Sequence, residues 1–485
     1  MLRNSYFSVT LQKHKRKHLL RVMAIVIFSI LLIGFFLIAT EKYNNVNKAA
    51  VAIFVGTVGW ILYISYGTDF VMSQHAADYR LFLGGAEHSG SSVKQFIAQN
   101  VLLKYVGKAS EIVLFLLATM TIVEILQNNG CFDFLSQLMR TRSSKRMLAI
   151  VSVMTFIISA NLDNLTTTVM MLTIMHGVVV NHRQRMIFGC AIVISANCGG
   201  ALTVIGSPAG LVLWNMGAIT ASHYSASLAL PCLLAWVIPV AWLSRSLPDR
   251  LEMAWSALPY RGDDTNLNVW QRLLMLFVGI GGLWFIPTFH NITKLSPFLG
   301  ALCVLAVLWI VNEVVNRKLM NTDEMIQRRI PRALQYGVIQ MILFVLGIML
   351  AVGVVSETGV MRQVSAYIFS NAPNLFVVGA FTEALSAVLD NFATAMTMIS
   401  LQDTTFGVLN SGIGGQQALN AVCNGSYWNV VAFASAVGGN VLCTGSMSGL
   451  ALMKMERIRF GWYFRNVGWK TLVGSVLGLA VCAML

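Results

Sequence analysis

Residues 159–167 read SANLDNLTT and residues 386–394 read SAVLDNFAT, two near copies of one polar string set inside apolar sequence. Each supplies a carboxylate (Asp163, Asp390), a carboxamide (Asn164, Asn391) and hydroxyls (Ser159, Thr166 and Thr167 in the first, Ser386 and Thr394 in the second). Such oxygens are what hard cations take as ligands, by the logic that assigns oxygen-rich sites to calcium and magnesium. Protons and sodium ions would compete for a carboxylate withdrawn from water, and competition for one site is exchange. An ionisable group at membrane depth costs at least about 2.5 kcal/mol on insertion scales. Two such clusters in matching contexts are therefore the candidate ion site.

A second pair of strings follows the first. GGALTVIGSPAGL over residues 199–211 aligns with GGNVLCTGSMSGL over 438–450. Gly199, Gly200, Gly206 and Ser207 thus match Gly438, Gly439, Gly445 and Ser446. Glycines at these points predict a helix that breaks and lets its backbone approach an ion closely; at membrane depth the freed carbonyls and amides need a ligand, water or another polar group. Asn197, Thr203, Asn440 and Thr444 lie beside the breaks as accessory candidates. Glu124 and Glu383 are ionisable residues in apolar stretches without repeat counterparts. A lone glycine pair would read as helix packing; four paired positions with polar neighbours do not. His176 and His182 could sense pH, although an interfacial position is the simpler reading for a histidine beside loop arginines.

The elements that hold these strings belong to a membrane protein. The chain has 485 residues, 56% hydrophobic and 11% charged, with a mean hydropathy of +0.69, and that composition excludes a soluble globular domain. Apolar runs long enough to cross about 30 Å of hydrocarbon fall near 20–40, 49–66, 109–127, 226–245, 270–287, 295–315, 336–355 and 466–484. Residues 147–180 and 374–401 instead carry an LDN string between two short apolar arms, which predicts re-entrant hairpins. Residues 187–219 and 428–453 are interrupted by glycine pairs and read as broken helices. Upstream, LFLLATMTIVEILQNNG ending at Gly130 aligns more weakly with LFVLGIMLAVGVVSETG ending at Gly359.

The formal charge of +14 sits in short runs between apolar segments, as the positive-inside rule distributes it, and no nucleic-acid partner is expected. Arg140, Arg142, Lys145 and Arg146 precede the first hairpin and Arg183 and Arg185 follow it, so both flanks are assigned to the cytoplasm. Alternate crossing then has the second hairpin entered from outside, and the two copies are inverted. The fold class expected is an all-α polytopic membrane protein with inverted structural repeats, each holding a re-entrant hairpin and a broken transmembrane helix, the pattern of secondary transporters.

The organisation expected is a basic extension at 1–22, N-terminal spans and an extramembrane loop over 23–108, and a first repeat over 109–245. Connecting spans and cytoplasmic loops follow over 246–335, then a second repeat over 336–485. Counting crossings backwards leaves the basic N-terminus outside, which points to a miscounted element between 67 and 108 or to a natural start at Met23. Eight scattered cysteines show no metal-ligand spacing and read as reduced core residues. No nucleotide-binding motif is found, so ion gradients should drive transport.

TMTIVEI (119–125), FIISANLDNLTTTVMML (156–172), VISANCGGALTVIG (193–206), the second LDN hairpin and ERIRFGWYFRNVGW (456–469) resemble the NhaD-type sodium/proton antiporters of the ion-transporter superfamily, which also holds arsenite permeases and dicarboxylate carriers. The resemblance covers roughly residues 23–485. It implies a multi-pass inner-membrane carrier exporting sodium or lithium in exchange for protons, without an enzymatic step or cofactor. It implies a homodimer in the bilayer, with Asp163 and Asn164, Asp390 and Asn391 central. One position departs: family members commonly carry an acid after the glycine matching Gly206, and here that residue is Ser207, followed by Pro208. The resulting GSP string resembles the broken helix of dicarboxylate carriers, so a sodium-coupled di- or tricarboxylate symporter or an arsenite permease is the alternative. An intramembrane aspartyl protease, the reading from another class, lacks its Tyr-Asp and Gly-x-Gly-Asp strings.

Overall fold

The computed structural model describes residues 2–249, 251, 267–315, 332–371, 374–402 and 423–485, apart from 45, 86, 133, 140 and 142. Much of the cytoplasmic loop sequence expected within 246–335, like Arg140 and Arg142, lies outside the described residues. Among those described there is no β-strand. In chain order the principal helices are α1 (Leu2–Ala39), α2 (Lys48–Ser65), α3 (Gly67–Gln74), α4 (Ala76–Leu83), α5 (Gly90–Phe96) and α6 (Leu103–Asn128). The first LDN segment forms α7 (Ser144–Asn161) and α8 (Asn164–Val178), and the first glycine segment α9 (His182–Gly200) and α10 (Pro208–Asn215). Then come α11 (Ala221–Ser244), α12 (Val269–Thr293), α13 (Pro297–Val315), α14 (Arg332–Glu357) and α15 (Val360–Asn371). The second LDN segment forms α16 (Leu375–Val388) and α17 (Asn391–Leu401), the second glycine segment α18 (Ser426–Val437) and α19 (Met447–Met455), and α20 (Trp469–Met484) closes the chain.

Eight helical stretches among the described residues are long and apolar enough to cross a membrane, and each coincides with a run expected from hydropathy. The protein is a multi-pass membrane protein. One stretch is longer than its run: α5 continues through a π-helical turn, Ile97–Leu102, into α6, making Gly90–Asn128 a single 39-residue helical stretch.

The helices sort into two compact units. The first takes its described residues from 1–110, 340–371 and 396–408. Within it α2 lies against the apolar part of α14: a Cβ on Gly59 would stand 2.7 Å from Val354, and Trp60 Nε1 donates to the Leu350 carbonyl at 3.1 Å. Residues 67–96, expected to contain loop, fold as three short helices that bury Phe70, Val71, Tyr79, Val93 and Phe96. Where they meet the end of α14, Glu357 lies 2.5 Å from His75 Nε2 and accepts from the Tyr105 hydroxyl at 2.8 Å.

The second unit takes its described residues from 111–339, 372–395 and 409–485. It holds both LDN strings and both glycine segments. α7 and α8 pack on α9, α16 packs on α18 and α20, and α11 runs along α20; α9 also meets α18 and α19, so the two broken helices touch each other.

Local sequence explains each break. Leu162 and Asp163 take extended backbone (φ −114°, ψ 169° and φ −65°, ψ 145°), which ends α7. α8 restarts because the Asp163 carboxylate caps it, accepting from the amides of Leu165 and Thr166, both at 2.9 Å. Aspartate is among the best residues for that position, worth about 1 kcal/mol over alanine. In the second copy Leu389 is again extended (φ −87°, ψ −170°) and Asp390 Oδ1 accepts from the Phe392 amide at 3.0 Å. The broken helices restart in the same way. Ser207 caps α10 from Gly210 N at 3.2 Å with Pro208 opening the helix, a position suited to proline. Ser446 caps α19 from Gly449 N at 3.1 Å. The aligned Gly130 and Gly359 share a left-handed backbone, φ 65° and 76°, just past the ends of α6 and α14.

Candidate functional site

The two hairpins are held to their broken helices by the same contacts. Ser159 Oγ donates to the Ala196 carbonyl at 2.6 Å, and Ser386 Oγ to the Ser435 carbonyl at 2.6 Å; Ala196 and Ser435 stand at equivalent distances before the glycine pairs. A Cβ on Gly199 would strike the Phe156 carbonyl, and one on Gly438 would lie 2.7 Å from the Glu383 carbonyl. A Cβ on Gly206 would lie 2.7 Å from the Ser159 carbonyl and one on Gly445 2.5 Å from that of Ser386. None of the eight paired glycine and serine positions has positive φ. These glycines therefore serve close backbone approach, hairpin against break, and not left-handed geometry. Thr203 Oγ1 adds a bond to the Ala160 carbonyl at 2.5 Å in the first copy.

A chain of carboxamides crosses between the copies. Asn164 Nδ2 donates to Asn197 Oδ1 at 3.1 Å, and Asn197 Nδ2 donates to Asn440 Oδ1 at 2.8 Å and to Ser446 Oγ at 3.0 Å. Ser448 Oγ donates to the Asn164 carbonyl at 3.1 Å, and the Asn440 carbonyl accepts from the hydroxyls of Tyr463 and Thr471 at 2.8 and 3.1 Å. Asn391 stays within its own copy, donating to the Ala436 carbonyl at 3.1 Å with Ser386 Oγ 3.2 Å from its oxygen.

The carboxylates are buried at the same places, Asp163 6% and Asp390 7% exposed. Asp163 Oδ2 accepts from both the amide and the hydroxyl of Thr166, and Oδ1 from the Leu165 amide. A carboxylate offers about four acceptor positions, so one on Oδ1 is left for a cation or a proton. One helical turn further on, the hydroxyls of Thr167 and Thr394, equivalent in the two copies and fully buried, have no hydrogen-bond partner. Buried polar groups are almost always satisfied, and here the same lapse occurs at both repeat positions.

Of the remaining candidates, Glu383 is buried on α16 and accepts from the Ser475 hydroxyl of α20. Thr444 is half-buried in the turn Cys443–Gly445 of the second break. Glu124 is half-buried on α6, outside both hairpin and broken-helix pairs. All eight cysteines are free, as expected, although Cys303 and Cys423 are exposed. Ser448, Tyr463 and Thr471 are site neighbours that sequence reasoning did not name: Ser448 lies inside the second glycine string but aligns with the apolar Ala209, and Tyr463 and Thr471 lie outside the repeated strings, so only packing reveals them.

Residues 35–438 match the family described as Citrate transporter. The chain belongs to that family. Its similar relatives include Sodium/proton antiporter 1 of Arabidopsis thaliana, 32% identical over 77% of this chain and 62% of the relative. Sodium/proton antiporter 2 of the same plant is 27% identical over 92% of this chain and 96% of the relative, and the Na(+)/H(+) antiporter NhaD of Vibrio parahaemolyticus 23% identical over 80% and 92%. The chain thus spans less than two thirds of the first of these relatives and nearly all of the other two. Family and relatives alike are transporters, not enzymes, and the resemblance to NhaD-type carriers holds across most of the chain.

Proposed function

We propose that this protein exchanges sodium, or lithium, for protons by alternating access, with the cargo bound where the two hairpins meet the two broken helices. The observation that carries the reading is the doubled pair of buried aspartate and unpartnered threonine hydroxyl, Asp163 with Thr167 and Asp390 with Thr394. Each carboxylate can hold a proton or lend an oxygen to sodium, not both, which gives exchange without a nucleotide or cofactor. Asn164, Asn197 and Asn440 supply carboxamide oxygens between the copies, and rocking of one copy against the other would alternate access, as in other inverted-repeat carriers. The proteins called sodium/proton antiporters in plants and bacteria support this cargo; an inner-membrane location with sodium leaving the cytoplasm is part of the proposal.

The family description favours a second reading, a sodium-coupled citrate or dicarboxylate symporter, and Ser207 agrees with it. Against it, the carboxylates of Asp163 and Asp390 would place negative charge beside an anionic substrate. Everted vesicles separate the two. Sodium or lithium should dissipate a pre-formed pH gradient, Asp163→Asn and Asp390→Asn should abolish the response, and citrate should be without effect. A response that needs citrate, or full activity in both variants, overturns the exchange reading.

A further inference from the structure

The offset that matches the two LDN strings sets Glu383 on α16 at the place that Phe156 holds on α7. The backbones agree, for the Phe156 carbonyl closes on Gly199 as the Glu383 carbonyl closes on Gly438. The offset that matches the two glycine strings carries the span Ala221–Ser244, which is α11, onto the span Phe460–Met484, which ends in α20. Trp236 and Ser475 are thereby equivalent. In the first copy these two places hold rings: Phe156 stacks on Trp236 with centroids 4.4 Å apart, and the indole donates to Ser195 Oγ at 2.9 Å. In the second they hold a carboxyl and a hydroxyl in hydrogen-bond contact, Glu383 with Ser475. Aromatic side chains therefore satisfy this junction of hairpin and long helix in one repeat, and the fold does not require an acid in the other.

Glu383 is 5% exposed, and among the described residues no lysine, arginine or histidine pairs with it. The titratable groups on the elements packed against α16 are Tyr427 on α18, Cys443 in the second break, and Lys470 and Cys482 on α20. The lysine ammonium lies 5.9 Å from the centroid of the Trp469 ring. No fixed cation thus commits Glu383 to its ionised form, and Ser475 serves either form. Its single proton has two acceptors within reach, the Leu472 carbonyl at 3.0 Å and Glu383 Oε1. With Glu383 ionised, the hydroxyl turns to the carboxylate. With Glu383 protonated, the carboxyl donates to Ser475 Oγ and the hydroxyl turns to Leu472. A proton can come and go at the rotation of one hydroxyl, with the contact between hairpin and α20 kept throughout. One turn further along α16, Ser386 holds the hairpin to the broken helix and reaches the carboxamide of Asn391.

We propose that Glu383 is a proton-carrying residue of the transport cycle, a third exchanging carboxyl beside Asp163 and Asp390 that only the second repeat possesses. It holds a proton while sodium is absent, and the proton passes to water when sodium binds. This assignment rests on the exchange proposed above. In proteoliposomes clamped at zero membrane potential, the pH difference that just halts flow down a fixed sodium gradient reports the number of protons moved per turnover. Glu383→Gln should move one proton fewer and need a larger pH difference to reach balance. A structural defect would change the rate and leave the balance point in place, so an unchanged balance point overturns the assignment. Glu383→Phe combined with Ser475→Trp copies the rings of the first repeat, and this second acid-free variant should balance where Glu383→Gln does. If neither variant transports, protons released into weakly buffered detergent solution on adding sodium decide: wild type should release one more per chain than either variant, and equal counts overturn the assignment. Wild type without any sodium-driven proton flux would defeat the exchange reading and this inference with it, whereas wild-type flux with equal balance points defeats the role of Glu383 alone.

Discussion

Asp163 is both a helix cap and a candidate ligand, and two substitutions separate the roles. Asparagine caps as well as aspartate, whereas alanine forfeits about 1 kcal/mol. Asp163→Asn should therefore melt close to wild type yet lose sodium-dependent proton movement, while Asp163→Ala should lose both; an active Asp163→Asn would leave the residue a cap only. His75 gives a residue-scale prediction outside the spans. The hydrogen bond to Glu357 holds its imidazole above the usual range. A raised folded value means that the contact's stabilisation is complete below the unfolded value of about 6.5 and disappears as pH rises through the folded one. The gap in melting temperature between wild type and His75→Gln should be widest in mild acid and close in alkali; a gap that grows with pH contradicts the assignment. The paired aspartates and asparagines could be read from sequence because polar residues inside apolar runs have few tolerated reasons to be there. The partner Ser448 could not: it bonds to Asn164, 284 positions away, and nothing local announces the pairing.

At the scale of elements, the paired glycines are where hairpin meets broken helix. Gly438→Ala would set a Cβ 2.7 Å from the Glu383 carbonyl and 2.9 Å from Ser386 Cβ, and overpacking of this kind typically costs about 1–3 kcal/mol. Gly107→Ala on α6 meets nothing within 4 Å and should gain up to about 1 kcal/mol from helix propensity alone. Melting midpoints in detergent that fall for the first and hold or rise for the second would bear this out; equal midpoints would refute it. The hairpins and breaks were readable because Leu-Asp-Asn and Gly-Ser strings interrupt hydropathy abruptly. The helices over residues 67–96 were not, since segments of seven or eight residues are too short for periodicity to separate helix from loop. The glycines were expected to let the helix break and its backbone come close to an ion; what the structure shows is close approach of hairpin backbone to the break.

At the scale of the molecule, both LDN strings, both breaks and the carboxamide chain belong to one compact unit. A ligand that binds only the folded state stabilises it by about 2.7 kcal/mol at a hundredfold excess over its dissociation constant. Sodium chloride should therefore raise the melting temperature of wild type above that in choline chloride at equal ionic strength, and Asp163→Asn should show no such difference. A citrate-dependent rise instead would favour the symporter. The class of architecture was open to sequence reading because composition, spans and duplicated strings agreed; the division into two units was not, because segments such as 340–371 join the first unit from far along the chain.

The Asp163 cap has a mechanical side. Three of its lone pairs serve the first amides of α8 and the hydroxyl of Thr166, so a cation or proton seated on the remaining position of Oδ1 would share that oxygen with the Leu165 amide and draw charge from the bonds that anchor the helix end. Loading would then loosen the first turn of the arm and unloading would reset it, so that cargo is sensed as a change in how firmly one helix is nailed down, with no separate relay between the ion and the moving part.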